Sequence, residues 1–174
     1  QPHGTFPMPK EVFENLVSDF IFDGLIDNQE SLFNKARSNN PKEFVFTRAT
    51  GLTVLKTAQK AHQLNLIKPI LIGEQKIIER EAKIIDWPLK KLEIINTTGE
   101  EEAVNASIDR FKTGNVAGFI KGNLHTDMFM SGLVKRDAGV RVGQRLVHIF
   151  VMLPPSGGKP LSLIHISEPT RPLT

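Results

Sequence analysis

Seven consecutive residues in the second half of the sequence carry an unusual range of reactive groups. The segment KGNLHTD, residues 121–127, holds an ammonium, an amide, an imidazole, a hydroxyl and a carboxylate, and it follows the apolar run VAGFI at 116–120. Apolar residues at helical spacing continue from Met128 to Val134. The pattern therefore predicts a strand that ends at Ile120, a polar turn, and a helix that begins near Thr126.

The residue types of this segment suit the binding of an anion. Gly122 lets the backbone turn tightly, and Asn123 or Thr126 can cap the helix while its first amide N–H groups stay free. Lys121 adds a full positive charge. The segment predicts a cradle for an oxyanion or a phosphate.

Two features of the segment leave an alternative open. Asp127 would repel an anion unless it caps the helix or holds His125. Polar residues also concentrate in strand-to-helix turns in any case, so an ordinary turn with an N-cap explains the same residues. The segment is not a Walker loop, because the spacing GxxxxGK[ST] is absent from the sequence.

A second polar cluster lies in KRDAGVRVGQRLVHIF, residues 135–150. Arg136, Arg141 and Arg145 surround two glycines, so their side chains can converge on a phosphate from a loop. A solvated basic loop is the alternative. His148 lies within an apolar run, which is typical of a hydrogen-bonded residue in a sheet. The motifs HExxH and GxSxG are absent, so neither metal-dependent nor serine hydrolysis is predicted.

Strand-like and helix-like segments alternate through the chain. In the helical segments apolar residues recur at helical spacing, and Ile77, Ile78, Ala82, Ile84 and Ile85 are expected to form one apolar face. The third helical segment opens with three glutamates, which favour the positive end of a helix dipole. The alternation predicts a parallel sheet covered by helices, with KGNLHTD at the carboxyl edge, where ligands gather. The predicted strands are 43–47, 68–73, 91–96, 116–120 and 145–152, and the predicted helices between them are 51–66, 74–87 and 99–114.

Composition excludes several classes of function. A chain of 174 residues is long enough for one packed domain and short for two. The net charge of +3 is scattered, so nucleic acid is not an expected partner. Because cysteine is absent, disulfides, thiolate catalysis and cysteine-ligated metals are excluded. No apolar run approaches the ~20 residues of a spanning helix and no signal peptide is evident, so we expect a soluble cytoplasmic protein with no membrane partner.

Three segments together carry a resemblance to a known family. NLIKPILIG, GFIKGNLHTDMFM and KRDAGVRVGQRLVHIFVM, in this order and spacing, closely resemble the phosphate acetyltransferase and phosphate butyryltransferase family. The likeness covers approximately residues 43–160 and is strongest to the butyryltransferase-like branch, which includes the bifunctional hydratase/phosphate acetyltransferase type. It implies transfer of an acetyl or butyryl group between coenzyme A and inorganic phosphate. It also implies no metal and no cofactor, since coenzyme A is a substrate, and a homodimer at full length.

The resemblance further implies a fold and a set of site residues. The fold would be an incomplete three-layer α/β domain with a parallel sheet, of the isocitrate dehydrogenase-like type. The catalytic groups would lie mainly in a later part of such a protein. The residues that would face substrate are Lys121, Gly122, Asn123, His125, Thr126 and Asp127, and those that would bind phosphate or the phosphates of coenzyme A are Arg141 and Arg145.

Four segments are expected along the chain. Residues 1–42 would form a helical N-terminal segment, with two helices over 10–38 that cover the sheet. Residues 43–144 would form the first α/β domain, and 145–160 would begin a second. Residues 161–171, LSLIHISEPTR, resemble, codon for codon, a translated reading frame of the DNA adapter used in transposase-based sequencing libraries. Residues 161–174 are therefore expected to be an adapter-derived tail without fold or function.

Two functions follow from these expectations. The first is an acyltransferase of which this chain holds one wall of a two-domain cleft, so that the chain by itself would be inactive. The second is a non-catalytic α/β module that binds or regulates.

Overall fold

The computed structural model describes residues 28–37, 40–140, 146–152 and 161–167. One unit spans Arg37–Val142, and the other described residues belong to a second unit. The first unit contains a parallel sheet with its helices, and the second contains helix α1 (Gln29–Ala36) and a two-stranded antiparallel hairpin. None of the helices in the described part of the chain is both long and apolar enough to cross a membrane.

Four parallel strands form the sheet of the first unit, as the sequence predicts. They are β1 (Glu43–Thr47), β2 (Lys68–Gly73), β3 (Glu93–Asn96) and β4 (Val116–Lys121). Their order in the sheet is β3-β2-β1-β4, and every neighbouring pair is parallel. Strand β3 begins at Glu93 rather than at residue 91, because the amide of Leu92 donates to the carbonyl of Leu89 in a turn, at 2.9 Å.

A helix follows each strand of this sheet. The helices are α2 (Leu52–Gln63), α3 (Gln75–Ile84), α4 (Gly99–Lys112) and α5 (Thr126–Leu133). Helices α2 and α3 end before their apolar patterns do, because Asn65 and Asp86 adopt left-handed φ values of 55° and 52°. After Asp86 the amide of Trp87 donates to the carbonyl of Ala82 at 2.9 Å, a Schellman-type C-cap.

Helices cover both faces of the sheet, so the predicted three-layer arrangement is confirmed. Adjacent residues of β1 point to opposite faces, as the pleat of a strand requires. Phe46 packs with Leu55 of α2 and Ile78 of α3, whereas Val45 packs with Ala103 of α4. All of these side chains are fully buried. The core therefore lies in two layers, one on each side of the strands.

Helix α5 packs mainly on helix α4. Phe129 of α5 and Leu124 before it join Val104 and Ile108 of α4 in a third apolar cluster. Gly132 of α5 lies so close to Val104 that a Cβ there would overlap it. This packing fixes the orientation of α5, and with it the position of the polar segment that precedes this helix.

The predicted apolar face of α3 is wrong at one position. Ile78 and Ala82 are buried, Ile77 is half-buried and Ile85 packs against the core, but Ile84 keeps 64% of its surface exposed. Ile84 follows Ala82 by two positions, about 200° around a helix of 3.6 residues per turn, so it points away from the sheet.

Helix α1 lies within the region that the sequence predicts to be helical. The amide of Ser31 donates to Asn28 Oδ1 at 2.9 Å, and the amide of Asn28 donates to Ser31 Oγ at 3.1 Å. These reciprocal bonds resemble a capping box and explain why the helix begins here. The expected helix before residue 28 lies outside the described residues, and the covering of the sheet by this region stays a prediction.

The second unit contains the hairpin of β5 (Leu146–Met152) and β6 (Leu161–Ser167). The strands are antiparallel, with Leu146 opposite Ser167 and Met152 opposite Leu161. The expectation that residues 161–171 carry no fold is therefore wrong for 161–167. The sequence LSLIHIS is rich in strand-forming residues, and a strand with an unpaired edge is a template for such a segment. The origin of the segment in adapter DNA stays a prediction.

Candidate functional site

The KGNLHTD segment lies at the carboxyl edge of the sheet, as predicted. Strand β4 ends at Lys121 beside the end of β1, and helix α5 begins at Thr126. In the order β3-β2-β1-β4 the chain moves from β1 to one side through β2 and β3, and then returns to the other side at β4. Ligands of open parallel sheets bind at this kind of reversal, beyond the carboxyl ends of the two strands that flank it, which are β1 and β4 here.

Backbone hydrogen bonds hold the start of the segment against the end of β1. The amides of Gly122 and Asn123 donate to the carbonyls of Thr47 and Arg48, each at 2.9 Å. A Cβ at Gly122 would overlap the carbonyl oxygen of Arg48 and lie 2.6 Å from that of Thr47. Glycine is therefore needed here because two backbones approach closely.

Arg48, which the sequence patterns did not single out, is the centre of the polar contacts. Its Nη2 lies 3.1 Å from Glu74 Oε1, and its Nη1 lies 3.3 Å from Glu100 Oε1 and donates to the carbonyl of Asn123 at 3.2 Å. The side chain is 25% exposed. Its backbone has a left-handed φ of 54°, which costs a non-glycine residue about 1–2 kcal/mol. Strained residues of this kind cluster at functional sites.

Glu74 connects the end of β2 with the start of α4. It is the N-cap residue of α3, and its Oε1 accepts hydrogen bonds from Arg48 and from the backbone N–H of Gly99, the latter at 3.2 Å. Burial acts to raise the pKa of Glu74, but the hydrogen bonds from Arg48 and Gly99 and the charge of Arg48 outweigh it. The pKa is therefore held below its ordinary value of 4.5, and the carboxyl is ionised at neutral pH.

Glu100, in the first turn of α4, joins Arg48 to His125. The Nδ1 of His125 lies 2.9 and 3.0 Å from the two carboxylate oxygens, and the backbone N–H of His125 donates to Oε2 at 3.2 Å. Desolvation acts to raise the pKa of Glu100, whereas the hydrogen bonds from His125 and the electrostatic attraction of His125 and Arg48 lower it overall. The glutamate run thus contributes a direct contact to the KGNLHTD segment, beyond its predicted effect on the helix dipole.

The start of α5 differs from the prediction in its cap. His125 is the N-cap residue and makes no side-chain capping bond, so neither Asn123 nor Thr126 caps the helix. Asp127 is exposed, and His125 is held by Glu100 instead. Within residues 40–140, the backbone N–H groups of Thr126 and Asp127 have no recorded acceptor, which leaves them available as donors.

Charge at this edge is partly neutralised. Arg48 has two carboxylate partners, Glu74 and Glu100. Lys121 is exposed, and no ion pair of its side chain is recorded with any other residue of 40–140. The positive charge available to an anion therefore comes from Lys121 and from the N-terminus of α5, while Asp127 opposes it.

Unpaired polar atoms also concentrate at this edge. Among the described residues, buried side-chain atoms with no partner in the protein include Arg48 Nε, Glu74 Oε2 and Thr97 Oγ1, and each residue directly follows a strand of the sheet. Such groups cost about 1–3 kcal/mol each, and a cost of this kind calls for an explanation such as function. A cleft of about 440 Å³ beside Glu74 and Thr97 is also lined by Lys76 and Glu79.

The structure brings together only part of the predicted set. Gly122, Asn123 and His125 lie in one network with Arg48 and Glu100. Lys121, Thr126 and Asp127 adjoin this network along the chain without recorded side-chain bonds to other residues of 40–140. Arg141 and Arg145 lie outside the described residues, so their contribution stays a prediction.

Sequence comparison relates the chain to one family. Residues 28–116 match the sequence profile of the family described as Phosphate acetyl/butaryl transferase. A phosphate acetyltransferase of Rickettsia felis is 32% identical over 168 residues, which cover 97% of this chain and 47% of that protein. A phosphate butyryltransferase of Clostridium beijerinckii is 23% identical over 124 residues, which cover 71% of this chain and 41% of that protein. The chain thus spans less than half the length of these relatives.

Structural comparison agrees on the fold. A phosphotransacetylase from Streptococcus pyogenes superposes with a TM-score of 0.59 at 15% sequence identity, covering 74% of this chain and 48% of that chain. At this identity the likeness concerns the α/β fold with its parallel sheet, which the sequence analysis predicted.

Proposed function

This chain belongs to the phosphate acetyl/butyryl transferase family, and we propose that the protein of which it forms part transfers an acetyl or butyryl group between coenzyme A and inorganic phosphate. The observation that carries the proposal is the place of KGNLHTD at the reversal between β1 and β4, beside the Arg48 network. Acyl-CoA and inorganic phosphate are the proposed substrates, with no cofactor and no metal, and the whole protein is proposed to be a homodimer.

The chemistry of such a transfer suits the groups at this edge. A phosphate oxygen attacks the thioester carbonyl, a C–O bond forms, the C–S bond breaks and the thiolate leaves. The protein must hold two anionic partners close together and stabilise the oxyanion between them. Lys121 can do part of this work, together with the backbone N–H groups of Thr126 and Asp127, which have no acceptor within residues 40–140. Positioning rather than a covalent nucleophile would carry the rate, and the 174 residues of the chain offer no cysteine as a nucleophile.

The proposed roles divide the segment by its geometry. Gly122 allows the close approach to β1, and Asn123 is held through its carbonyl by Arg48. Lys121, Thr126 and the exposed ring of His125 would face the phosphate. The arginines of the following segment would bind phosphate or the phosphates of coenzyme A, and these are Arg141 and Arg145.

The proposal also assigns the segments of the chain. Residues 43–144 would form an incomplete first α/β domain, and 145–160 would begin a second domain whose later part supplies the catalytic groups. Residues 161–174 would derive from adapter DNA. The chain would then hold one wall of the cleft and would not turn over substrate by itself.

Binding to the chain itself tests the site. The 174-residue chain is titrated with inorganic phosphate and, separately, with coenzyme A, and affinity is measured by calorimetry and by amide NMR shifts. Lys121→Ala should weaken binding about 10- to 150-fold, because a charge-assisted contact contributes about 1.5–3 kcal/mol. Lys90→Ala is the matched control, since Lys90 is exposed and precedes β3 at the opposite edge. Equal affinity in the two variants would remove Lys121 from the site.

A non-catalytic binding or regulatory module is the second candidate. One observation favours it: Arg48 is already paired with two carboxylates. Sequencing the source gene beyond Pro160 separates the candidates. A reading frame that continues into a second α/β domain supports the enzyme, and a stop codon there supports the module.

A further inference from the structure

The contact between Glu100 and His125 decides which ring nitrogen carries the proton. Both carboxylate oxygens lie within 3.0 Å of Nδ1. The pKa of Glu100 is lowered overall, so its carboxyl is ionised at neutral pH and can only accept hydrogen bonds. The Nδ1 atom must therefore be the donor.

In the neutral ring this assignment leaves the other nitrogen bare. A neutral imidazole has one N–H group, so a proton on Nδ1 makes Nε2 an acceptor with a free lone pair. The side chain of His125 is 82% exposed, so this atom is accessible from solvent. His125 is also the N-cap residue of α5, directly before the backbone N–H groups of Thr126 and Asp127, for which residues 40–140 provide no acceptor. Donors and one acceptor thus lie together at the start of α5.

The carboxylate that orients the ring is itself held in place. Glu100 is contacted by Arg48 Nη1 on one oxygen and by the backbone N–H of His125 on the other, and its side chain is 20% exposed. Arg48 is in turn held by Glu74. The series Glu74, Arg48, Glu100 and His125 links the residues that follow β2 and β1 to the segment after β4, which restricts the imidazole to one orientation.

An acceptor among donors distinguishes between anions of the same shape and charge. Hydrogenphosphate carries one P–O–H group, which donates to an acceptor, together with oxygens that accept from N–H groups. Sulfate at neutral pH has no proton, so it would leave the acceptor facing a lone pair. A hydrogen bond that is made with one ligand and lost with the other is worth about 0.5–1.5 kcal/mol.

We propose that Glu100 is a positioning residue that keeps the proton of His125 on Nδ1, so that Nε2 accepts the P–O–H of hydrogenphosphate and the site prefers hydrogenphosphate to sulfate. The inference deepens the proposed function by naming the protonation state of its phosphate substrate, and for the ligand it rests on that function. The tautomer of His125 does not depend on it.

Nitrogen-15 NMR of the His125 ring tests the first half of the proposal. The spectrum of the 174-residue chain is recorded at a pH where the ring shift has reached its neutral plateau. We expect a protonated Nδ1 and a bare Nε2 in the wild type, the same in Glu100→Gln, whose amide oxygen still accepts, and a mixture of tautomers in Glu100→Ala. A wild-type ring protonated mainly on Nε2 overturns the proposal, even if Glu100→Ala fails to fold.

Parallel titrations with sodium phosphate and sodium sulfate test the second half. The wild-type chain should bind phosphate about 2- to 12-fold more tightly than sulfate, and Glu100→Ala should bring the ratio towards one. Because the two anions carry the same charge, the loss of the Glu100 charge changes both affinities alike and cancels in the ratio. Glu101→Ala, which removes an exposed neighbouring glutamate, should leave the ratio as in the wild type. A ratio of one in the wild type, or a preference abolished by Asp127→Asn and kept by Glu100→Ala, overturns the role of His125.

The two failures can be told apart. If neither anion moves the amide resonances of residues 121–128, the anion site of the proposed function is refuted, and the ligand role of Nε2 falls with it. The ring spectrum still decides the positioning of His125 by Glu100, because it is measured without any anion.

Discussion

Replacement of Gly122 by alanine is expected to damage the junction of β4 with β1 far more than the size of a methyl group suggests. The new Cβ would overlap the carbonyl oxygen of Arg48, and it would lie 2.6 Å from that of Thr47. These are backbone atoms, which cannot move aside as a flexible side chain can. Relief of the overlap therefore requires the two backbones to separate.

The cost follows from two contributions. Inserting a carbon into a filled space costs about 1–3 kcal/mol. Separation also weakens the hydrogen bonds from Gly122 to Thr47 and from Asn123 to Arg48, each worth about 0.5–1.5 kcal/mol. Together they predict that the free energy of unfolding falls by about 2–6 kcal/mol, a large part of the about 5–15 kcal/mol typical of a domain.

Urea unfolding followed by tryptophan fluorescence measures this loss. Trp87 is the single tryptophan of the chain and is 7% exposed in the core of the first unit, so it reports on that unit. Gly114→Ala is the control, because Gly114 has a φ of 89° and a Cβ there meets no atom within 4 Å. Its free energy of unfolding should fall only by about 1–2 kcal/mol, which is the cost of an alanine in the left-handed backbone conformation. A Gly122→Ala variant that loses no more than this control would refute the close approach.

Two further predictions concern polar pairs in the first unit. Ser107→Ala should lower the free energy of unfolding by about 1–3 kcal/mol, because the buried hydroxyl of Thr47, 2.9 Å away, loses its partner. The double variant with Thr47→Val should regain part of that loss, and purely additive losses would contradict the pairing. The hydrogen bond from Lys68 lowers the pKa of Glu43, burial opposes it, and Arg110 lowers it further, to a net value below the ordinary 4.5. The carboxylate of Glu43 therefore takes up a proton more readily in the unfolded chain than in the folded one. The contribution of these pairs to the free energy of unfolding is present above about pH 5 and is lost as pH falls through the lowered pKa of the folded state. Between about pH 5 and pH 3, the free energy of unfolding measured in urea should fall less for Glu43→Gln than for the wild type. An equal fall in the two proteins would count against these pairs.

The fold could be predicted because its strands are buried and its helices are amphipathic. In KPILIG all residues after the lysine are buried, so an apolar run of strand length identifies β2 without any partner being known. Helix ends were less predictable, because Asn65 and Asp86 stop α2 and α3 through left-handed backbone conformations inside a continuing apolar pattern. Ile84 shows the same limit, since it belongs to the apolar pattern and lies on the exposed side.

Only half of the candidate site could be predicted. KGNLHTD stands out because its polar residues are consecutive. Arg48 and Glu74 are isolated in the sequence, Glu100 is one of a run of glutamates, and their partners lie 25 to 75 positions away. Their meeting depends on the strand order β3-β2-β1-β4, which no local pattern determines. A signal was present, because Arg48 and Glu74 directly follow predicted strands, the same criterion that selected KGNLHTD.

Residues 161–167 show that the origin of a segment and its structure are separate questions. A resemblance to translated adapter DNA predicts where a sequence comes from, and it does not change the strand propensity of leucine and isoleucine. LSLIHIS pairs with β5 along its whole length, with Leu161 opposite Met152 and Ser167 opposite Leu146.

Acyl phosphate formation by the whole protein is the most direct test of the central claim. The source gene is extended beyond Pro160, and the full-length product is assayed with acetyl-CoA or butyryl-CoA and inorganic phosphate, beside the 174-residue chain. We predict acyl phosphate formation by the full-length protein and none by the chain alone, which would lack the positioning worth about 7–11 kcal/mol that a complete cleft provides. A folded full-length protein that forms no acyl phosphate from either thioester, or a 174-residue chain that matches its turnover, would contradict the account.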